Sequence, residues 1–259
     1  MDALILAAGL GSRLQSLSPS KPLTLVHGVS LLEISLRQLA CVGVKRAMIV
    51  TGHRAEMIDQ ALERLQPRLN IELNTKRVEC WNKPNGYSVM AGSAALPGDY
   101  LLVMCDHILS TQILWRLAGA GGNDRDVTLA IDRRTESPLI DPEDATWVEL
   151  SNDGFIKRIG KSLAVGNAVD CGAFLATPAL ADAIRHAVDQ GRPGSLSDGM
   201  QVLADRHRAA TFDIGEAWWL DVDDPAAHRL AETELDPGFA LLEGDEARSE
   251  ISAALELQA

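Results

Sequence analysis

Near its N-terminus the chain sets two glycines and two cations in an order suited to gripping an anion. Ala3–Ala7 reads as an apolar strand that runs into Ala8-Gly9-Leu10-Gly11-Ser12-Arg13, and Lys21-Pro22-Leu23 follows after a short loop. Glycines let a backbone pass close to a ligand, and consecutive N–H groups in such a turn form an anion cradle. Arg13 and Lys21 add mobile positive charge to the same place. The chemistry implied is the binding of a phosphate ester. It is not a dinucleotide fingerprint, because GxGxxG needs a glycine where Leu14 stands. Nor is it a Walker A loop, which needs Gly-Lys-Ser/Thr directly after the glycines.

Carboxylates follow at spacings that bear on the same chemistry. Asp106 ends the apolar run Asp99–Cys105, and ligands gather at the carboxyl ends of strands in open α/β sheets. In Trp218-Trp219-Leu220-Asp221-Val222-Asp223-Asp224-Pro225, alternation puts Asp221 and Asp223 on one side of an extended segment, while Asp224 before Pro225 reads as a helix cap. Read locally, Asp106 also fits a turn, Asn85-Gly86-Tyr87-Ser88 a turn and helix start, and Lys161 a solvated surface charge. His27, His53, His186, His207 and His228 show no metal-ligand spacing.

The elements that must position these residues alternate. After the first strand, Leu31–Val42 has helical periodicity and stops at Gly43; Arg46–Val50 reads as a strand, Ala55–Leu65 as a helix and Leu69–Leu73 as a strand. That alternation is the doubly wound pattern. Asn74–Tyr87 reads as a loop, Ser88–Leu96 as a helix, Asp99–Cys105 as a buried strand, Thr111–Ala118 as a helix and Val127–Ile131 as a strand. Thr146–Leu150 and Phe155–Ile159 flank Asn152-Asp153-Gly154, a hairpin signal. A strand at Ala173–Ala176, helices at Pro178–Val188 and Ser197–Arg206, extended segments at Ala210–Ile214 and Trp218–Val222, and a helix at Pro225–Glu234 complete the reading. The expectation is a Rossmann-like three-layer α/β fold with a mixed, mostly parallel sheet. A small inserted substrate-binding hairpin region interrupts one domain over 1–235, and 236–259 forms a helical tail.

Bulk properties narrow the classes. The 259 residues are 46% hydrophobic and 23% charged, with a net charge of −12. That excludes a nonspecific binder of nucleic acid or anionic membrane, both of which need a dominant cationic surface. The four cysteines, Cys41, Cys80, Cys105 and Cys171, are scattered, which excludes a disulfide scaffold. No run approaches a membrane span and no leader is evident, so the chain reads as cytoplasmic.

The pattern Leu6-Ala7-Ala8-Gly9-x-Gly11-x-Arg13 with Lys21-Pro22 resembles the signature of the nucleotidyltransferases that join an NTP to a phosphorylated sugar, polyol or choline and release pyrophosphate. The resemblance spans about residues 2–235. It implies that Leu6, Ala7, Ala8, Gly9, Gly11, Arg13 and Lys21 bind the nucleotide, and that Asn85, Gly86 and Ser88 lie beside its base. It also implies that Asp106 holds Mg2+ with Asp223, or with Asp221. Asp106-His107, Ile159-Gly160-Lys161 and Asp170-Cys171-Gly172-Ala173-Phe174 are similar to segments of the cytidylyltransferases acting on inositol 1-phosphate, although Cys171 replaces the usual threonine. Lys161 would then hold the acceptor phosphate, with His107 and Asp170 at the acceptor, and Arg13, Lys21, Asp106 and Lys161 would be the catalytic set. The expected reaction makes CDP-inositol and pyrophosphate from CTP and 1L-myo-inositol 1-phosphate. The alternatives are a phosphonate such as 2-hydroxyethylphosphonate, phosphocholine or a sugar 1-phosphate. A separate CDP-alcohol phosphotransferase would consume the product, and a homodimer is compatible with the chain. A catalytically silent sensor would have lost a cation or carboxylate, and Arg13, Lys21, Asp106 and Asp223 are all present.

Overall fold

The computed structural model describes residues 1–163 and 166–236. The tail expected over 236–259 therefore lies outside the described residues, save Asp236. The first half runs β1 (Asp2–Ala7), β2 (Leu25–Val26), β3 (Val29–Ser30), α1 (Leu31–Cys41), β4 (Arg46–Thr51), α2 (Ala55–Leu65), β5 (Glu72–Arg77), α3 (Gly86–Ser93), β6 (Tyr100–Met104), β7 (His107–Leu109) and α4 (Thr111–Ala118). The second half adds β8 (Val127–Asp132), β9 (Trp147–Leu150), β10 (Ile156–Gly160), β11 (Ala168–Ala176) and α5 (Ala179–Asp189). It closes with α6 (Leu196–Asp205), β12 (Ala209–Asp213), β13 (Trp219–Asp221) and α7 (Pro225–Glu234).

A central sheet orders its strands β10-β9-β11-β6-β1-β4-β5, and β8 with its parallel neighbour β12 branches from β11. The stretch β6-β1-β4-β5 is parallel throughout. β11 runs antiparallel to β6, β8 and β9, so the expected hairpin β9-β10 extends the main sheet as its continuation. Alternation along β1 divides the core. Ala3, Ile5 and Ala7 face a cluster holding α1, α2 and α4, whereas Leu4 and Leu6 face one holding α3, α5 and α6. Two helical layers thus sandwich a sheet buried on both faces, which is why its central strands are continuous apolar runs.

Local chemistry sets the helices. Ala55, Ile58, Leu62 and Leu65 form the buried stripe of α2 at helical spacing. The Ser30 hydroxyl accepts from the Glu33 N–H at the start of α1, and Ser195 and Asp198 form a reciprocal capping box on α6. Asp224 caps α7, accepting from the N–H groups of Ala226 and Ala227.

Several elements differ from the sequence reading, among them β11, which begins at Ala168 instead of Ala173. The third strand begins at Glu72 instead of Leu69, because Gln66–Arg68 makes a 3-10 turn and the Gln66 amide binds the Ile71 carbonyl and the Leu73 N–H. As an edge strand with mostly exposed residues, β5 lacks the alternation that would reveal it, and it absorbs Asn74 and Lys76 from the expected loop. α3 starts at Gly86, ahead of Ser88, and ends at Ser93. The short antiparallel pair β7-β13 pairs His107 with Asp221 and Leu109 with Trp219, a juxtaposition no local pattern announces. No helix among the described residues is long and apolar enough to cross a membrane.

Removing the α6 cap by Ser195→Ala should lower the unfolding free energy by about 1 kcal/mol, read from urea denaturation.

Candidate active site

The turn after β1 places Gly11 at φ +60°, and a side chain there would collide with that of Lys21. Gly11 therefore lets Lys21 lie beneath the turn, where its side chain is only 10% exposed. The Lys21 ammonium bridges the carboxylates of Asp106 and Asp223. Arg13 reaches the other oxygen of Asp223 and also Asp144 Oδ2 at 2.6 Å. Asp144 in turn pairs with Lys161. A chain of alternating charges thus crosses the site from the glycine turn to the end of the β9-β10 hairpin.

The pair β7-β13 closes the centre of this chain. The Val222 N–H donates to the Asp106 carbonyl at 2.9 Å, and Val222 itself is fully buried between Asp221 and Asp223. His107 Nδ1 lies 2.9 Å from Asp106 Oδ1 and 3.7 Å from Asp221 Oδ1, while its ring stacks on Trp219 at 5.9 Å. Trp219 Nε1 donates to Asp132 at 2.8 Å, and Asp132 is held by Arg134, which also binds the Ala217 carbonyl. Arg134 is therefore a support behind the pocket, and Arg133 pairs with Asp213.

Electrostatics follow from this packing. Burial would lower the His107 pKa, but the charges of Asp221 and Asp106 outweigh it and raise it to about 9. For Asp106, burial acts upward, yet Lys21 and His107 hold the carboxyl well below its usual range. Asp170 has no such cation in hydrogen-bond contact; burial raises its pKa to about 6, although the Gly172 N–H donates to it at 2.7 Å. The same burial moves Asp221 upward.

Two cavities meet at Arg13, Asn85, Met104, Asp106 and Asp223. The first, of about 280 Å³, is lined by Leu6, Ala7, Ala8, Gly9, Gly11, Arg13, Lys21, Asn85 and Ser88, together with Trp81 and Lys83. Of the expected nucleotide residues, Gly86 alone stays outside. A side chain there would strike the Gly194 carbonyl and Ile184, so Gly86 seats α3 against the turn before α6. The second cavity, of about 290 Å³, is lined by His107, Asp144, Lys161, Asp170, Asp221 and Trp219 among others. Asp170 reaches it because β11 shifts register between Asp170 and Phe174, with Gly172 at φ +72° and against the His107 ring.

Hard cations take carboxylate oxygens, and this site offers two sets of ligand atoms lying within 4.8 Å of one another: Asp106, His107 and Asp221; and Asp144, Asp221 and Asp223. Asp221 belongs to both, and its Oδ1 is buried without a hydrogen-bond partner. These residues fit Mg2+. Asp144 was not among the residues expected here. It lies in an irregular segment between β8 and β9, where only its two cationic partners mark it out.

A glycine turn with two cations, opposite carboxylates at the ends of sheet strands, defines the site of a nucleotidyltransferase. Residues 3–208 match the model of the MobA-like NTP transferase domain, and the chain belongs to that family. Over 234 residues it is 32% identical to the "Bifunctional IPC transferase and DIPP synthase" of Rubrobacter xylanophilus, covering 90% of this chain and 51% of that protein. It is 29% identical to the "CMP-5'-(3-aminopropyl)phosphonate synthase" of Streptomyces rubellomurinus, covering 91% of this chain and 39% of that one. The chain thus spans about half the length, or less, of these curated relatives. The structure of the inositol-1-phosphate CTP transferase from T. maritima superposes with a TM-score of 0.76 at 25% identity, covering 89% of this chain and 94% of that one. Asp221 and Asp223 lie beyond the span that the family model matches.

The raised pKa of Asp170 has a definite sign. Its folded value, about 6, exceeds the ordinary 3.8, so the protonated form favours folding and ionisation opposes it. The cost is absent below about pH 4, grows between pH 4 and 6, and is complete above. Asp170→Asn should therefore raise the melting temperature of the ligand-free protein near pH 7, with the gain vanishing towards pH 4. A gain constant across pH would refute the assignment.

Proposed function

We propose that the chain transfers CMP from CTP to a phosphorylated polyol, with inositol 1-phosphate as the leading acceptor, forming CDP-inositol and pyrophosphate. The observation that carries this reading is the meeting of the two cavities at Arg13, Asp106 and Asp223, with a glycine turn lining one and Lys161 with Asp170 lining the other. The inositol-1-phosphate CTP transferase of similar fold supports the choice of acceptor.

In this reading the turn from Ala8 to Gly11 cradles the triphosphate, and Arg13 and Lys21 turn from their carboxylate partners to its oxygens. An oxygen of the acceptor phosphate attacks the α-phosphorus of CTP, and the bond from that phosphorus to the β-phosphate oxygen breaks to release pyrophosphate. The acceptor phosphate is already ionised, so no strong general base is needed. Lys161 aligns it, and the two anions meet only because fixed positive charge is in place before they arrive. Asp106, Asp221 and Asp223, with Asp144 beside them, would hold Mg2+, which neutralises the triphosphate and polarises the phosphorus.

The acceptor cavity also bears on substrate choice. Its lining carries Asp141, Asp144, Asp170 and Thr146, acceptors suited to the hydroxyls of a polyol ring, and its aromatic residues are Phe174 and Trp219. Trp219 is already committed to His107 and Asp132, which leaves no cage for choline. A phosphonate acceptor is the second reading, favoured by the similarity to the Streptomyces phosphonate synthase. The product's diphosphate linkage is activated for attack by a hydroxyl, so the partner we propose is a phosphotransferase that releases CMP from a CDP-alcohol.

Pyrophosphate release across four NTPs and a panel of inositol 1-phosphate, phosphocholine, hexose 1-phosphates and simple phosphonates tests this directly. Release confined to CTP with inositol 1-phosphate is expected; release only with another acceptor would overturn the substrate. EDTA should abolish turnover and excess Mg2+ restore it. Asp106→Ala should cost at least about a hundredfold in kcat with the fold intact by circular dichroism. Lys161→Ala should raise KM for the acceptor about tenfold or more while leaving KM for CTP nearly unchanged, because the lost contact is a charge-assisted hydrogen bond.

A further inference from the structure

Trp81 stands out among the residues lining the nucleotide-side cavity. It is 37% exposed and belongs to none of the buried clusters, although indole is among the costliest groups to leave in water. Its position is nevertheless fixed. A Cβ on Gly52 would come within 2.6 Å of Trp81 Cβ and 2.9 Å of the Ala8 carbonyl, so three backbone segments crowd together there. The His53 N–H donates to that Ala8 carbonyl at 3.0 Å, and the His53 ring backs the indole at 5.1 Å with planes tilted by 59°. The loop carrying Trp81 is pinned at both ends: the Val78 N–H binds the Thr51 carbonyl, and Asn85 Oδ1 accepts from the Leu196 N–H. Between them the Lys83 N–H closes a turn on the Cys80 carbonyl. Gly9 lines the same cavity, and a side chain there would meet nothing within 4 Å.

We infer that Trp81 is the stacking platform for the nucleobase, held by the Gly52–His53 turn beside the phosphate cradle. This rests on the nucleotidyl-transfer reading and deepens it. An exposed indole that is backed by the His53 ring and lines the same cavity as Arg13 and Lys21 offers an aromatic surface to the base of a triphosphate bound by those cations. Stacking needs only a π-face, so it is tolerant of base identity. Trp81 therefore supplies affinity for any nucleoside triphosphate, and discrimination among bases falls to the polar groups of Asn85 and Ser88.

The test uses the full chain with Mg2+ and no acceptor, so it does not depend on which acceptor is correct. CTP should quench tryptophan fluorescence in the wild type, and inorganic tripolyphosphate, which has no base, should not. In Trp81→Phe that quench should disappear while CTP affinity, measured calorimetrically, falls no more than about threefold. In Trp81→Ala, affinity for CTP and UTP should fall together, by about tenfold, with their ratio preserved and tripolyphosphate binding unchanged. Equal loss of CTP and tripolyphosphate binding would make Trp81 a structural support of the loop and overturn the inference. So would an undiminished quench in Trp81→Phe. Failure of the wild type to bind any of the four nucleotides would instead overturn the nucleotidyl-transfer reading beneath it.

Discussion

The site is organised around one buried ammonium. Lys21, almost wholly removed from water, needs negative partners in place, because a buried charge left unpaired costs several kcal/mol. It finds them in Asp106, at the end of a central strand, and Asp223, just beyond β13. Two conditions make that possible. Gly11 must lack a side chain so that Lys21 can pass beneath the turn, and β7 must pair with β13 so that the late carboxylates arrive beside the early one. Burial lowers the pKa of Lys21, yet the charges of Asp106 and Asp221 outweigh it and the net shift is upward, so the ammonium stays charged.

The same arrangement sets charges of both signs side by side on one surface. Arg13, Lys21 and Lys161 pair with Asp106, Asp144 and Asp223, so these six groups balance one another. In the function proposed above, a triphosphate arriving with a divalent cation would bring both signs at once, and each protein partner would be exchanged for a ligand of like charge. An anion alone would free carboxylates with nothing to neutralise them, which favours joint arrival. Asp144, in the lining of the second cavity, contacts both the cation of the glycine turn and that of the hairpin.

Around the second cavity the determinants are backbone irregularities. The register shift in β11 turns Asp170 towards the cavity, and Gly172 in its left-handed conformation lets the chain pass against the His107 ring. His107 is then surrounded by Asp106, Asp170 and Asp221, and that cluster keeps its imidazole protonated at neutral pH. The supports lie farther back: Trp219 stacks on His107 and is itself tied to Asp132 and Arg134.

The sequence determined the alternating elements, the glycine turn and the identity of most of the charged groups, because each is written locally: apolar runs, helical spacing, and glycines next to cations. Arg13, Lys21, Asp106, Asp221 and Asp223 are legible as residue types behind strands or turns, whereas Lys161 and Asp170 stand out only through the family resemblance. What only the tertiary structure decided is which of them meet. Pairing of β7 with β13, the bulge in β11 and the position of Asp144 depend on contacts between segments far apart in the chain. Neither periodicity nor propensity carries information about such contacts. Gly86 and Trp81 show the same division: Gly86 packs α3 closely against the turn before α6, and Trp81, in a loop without a clear period, gains its position from Gly52 just past the end of β4.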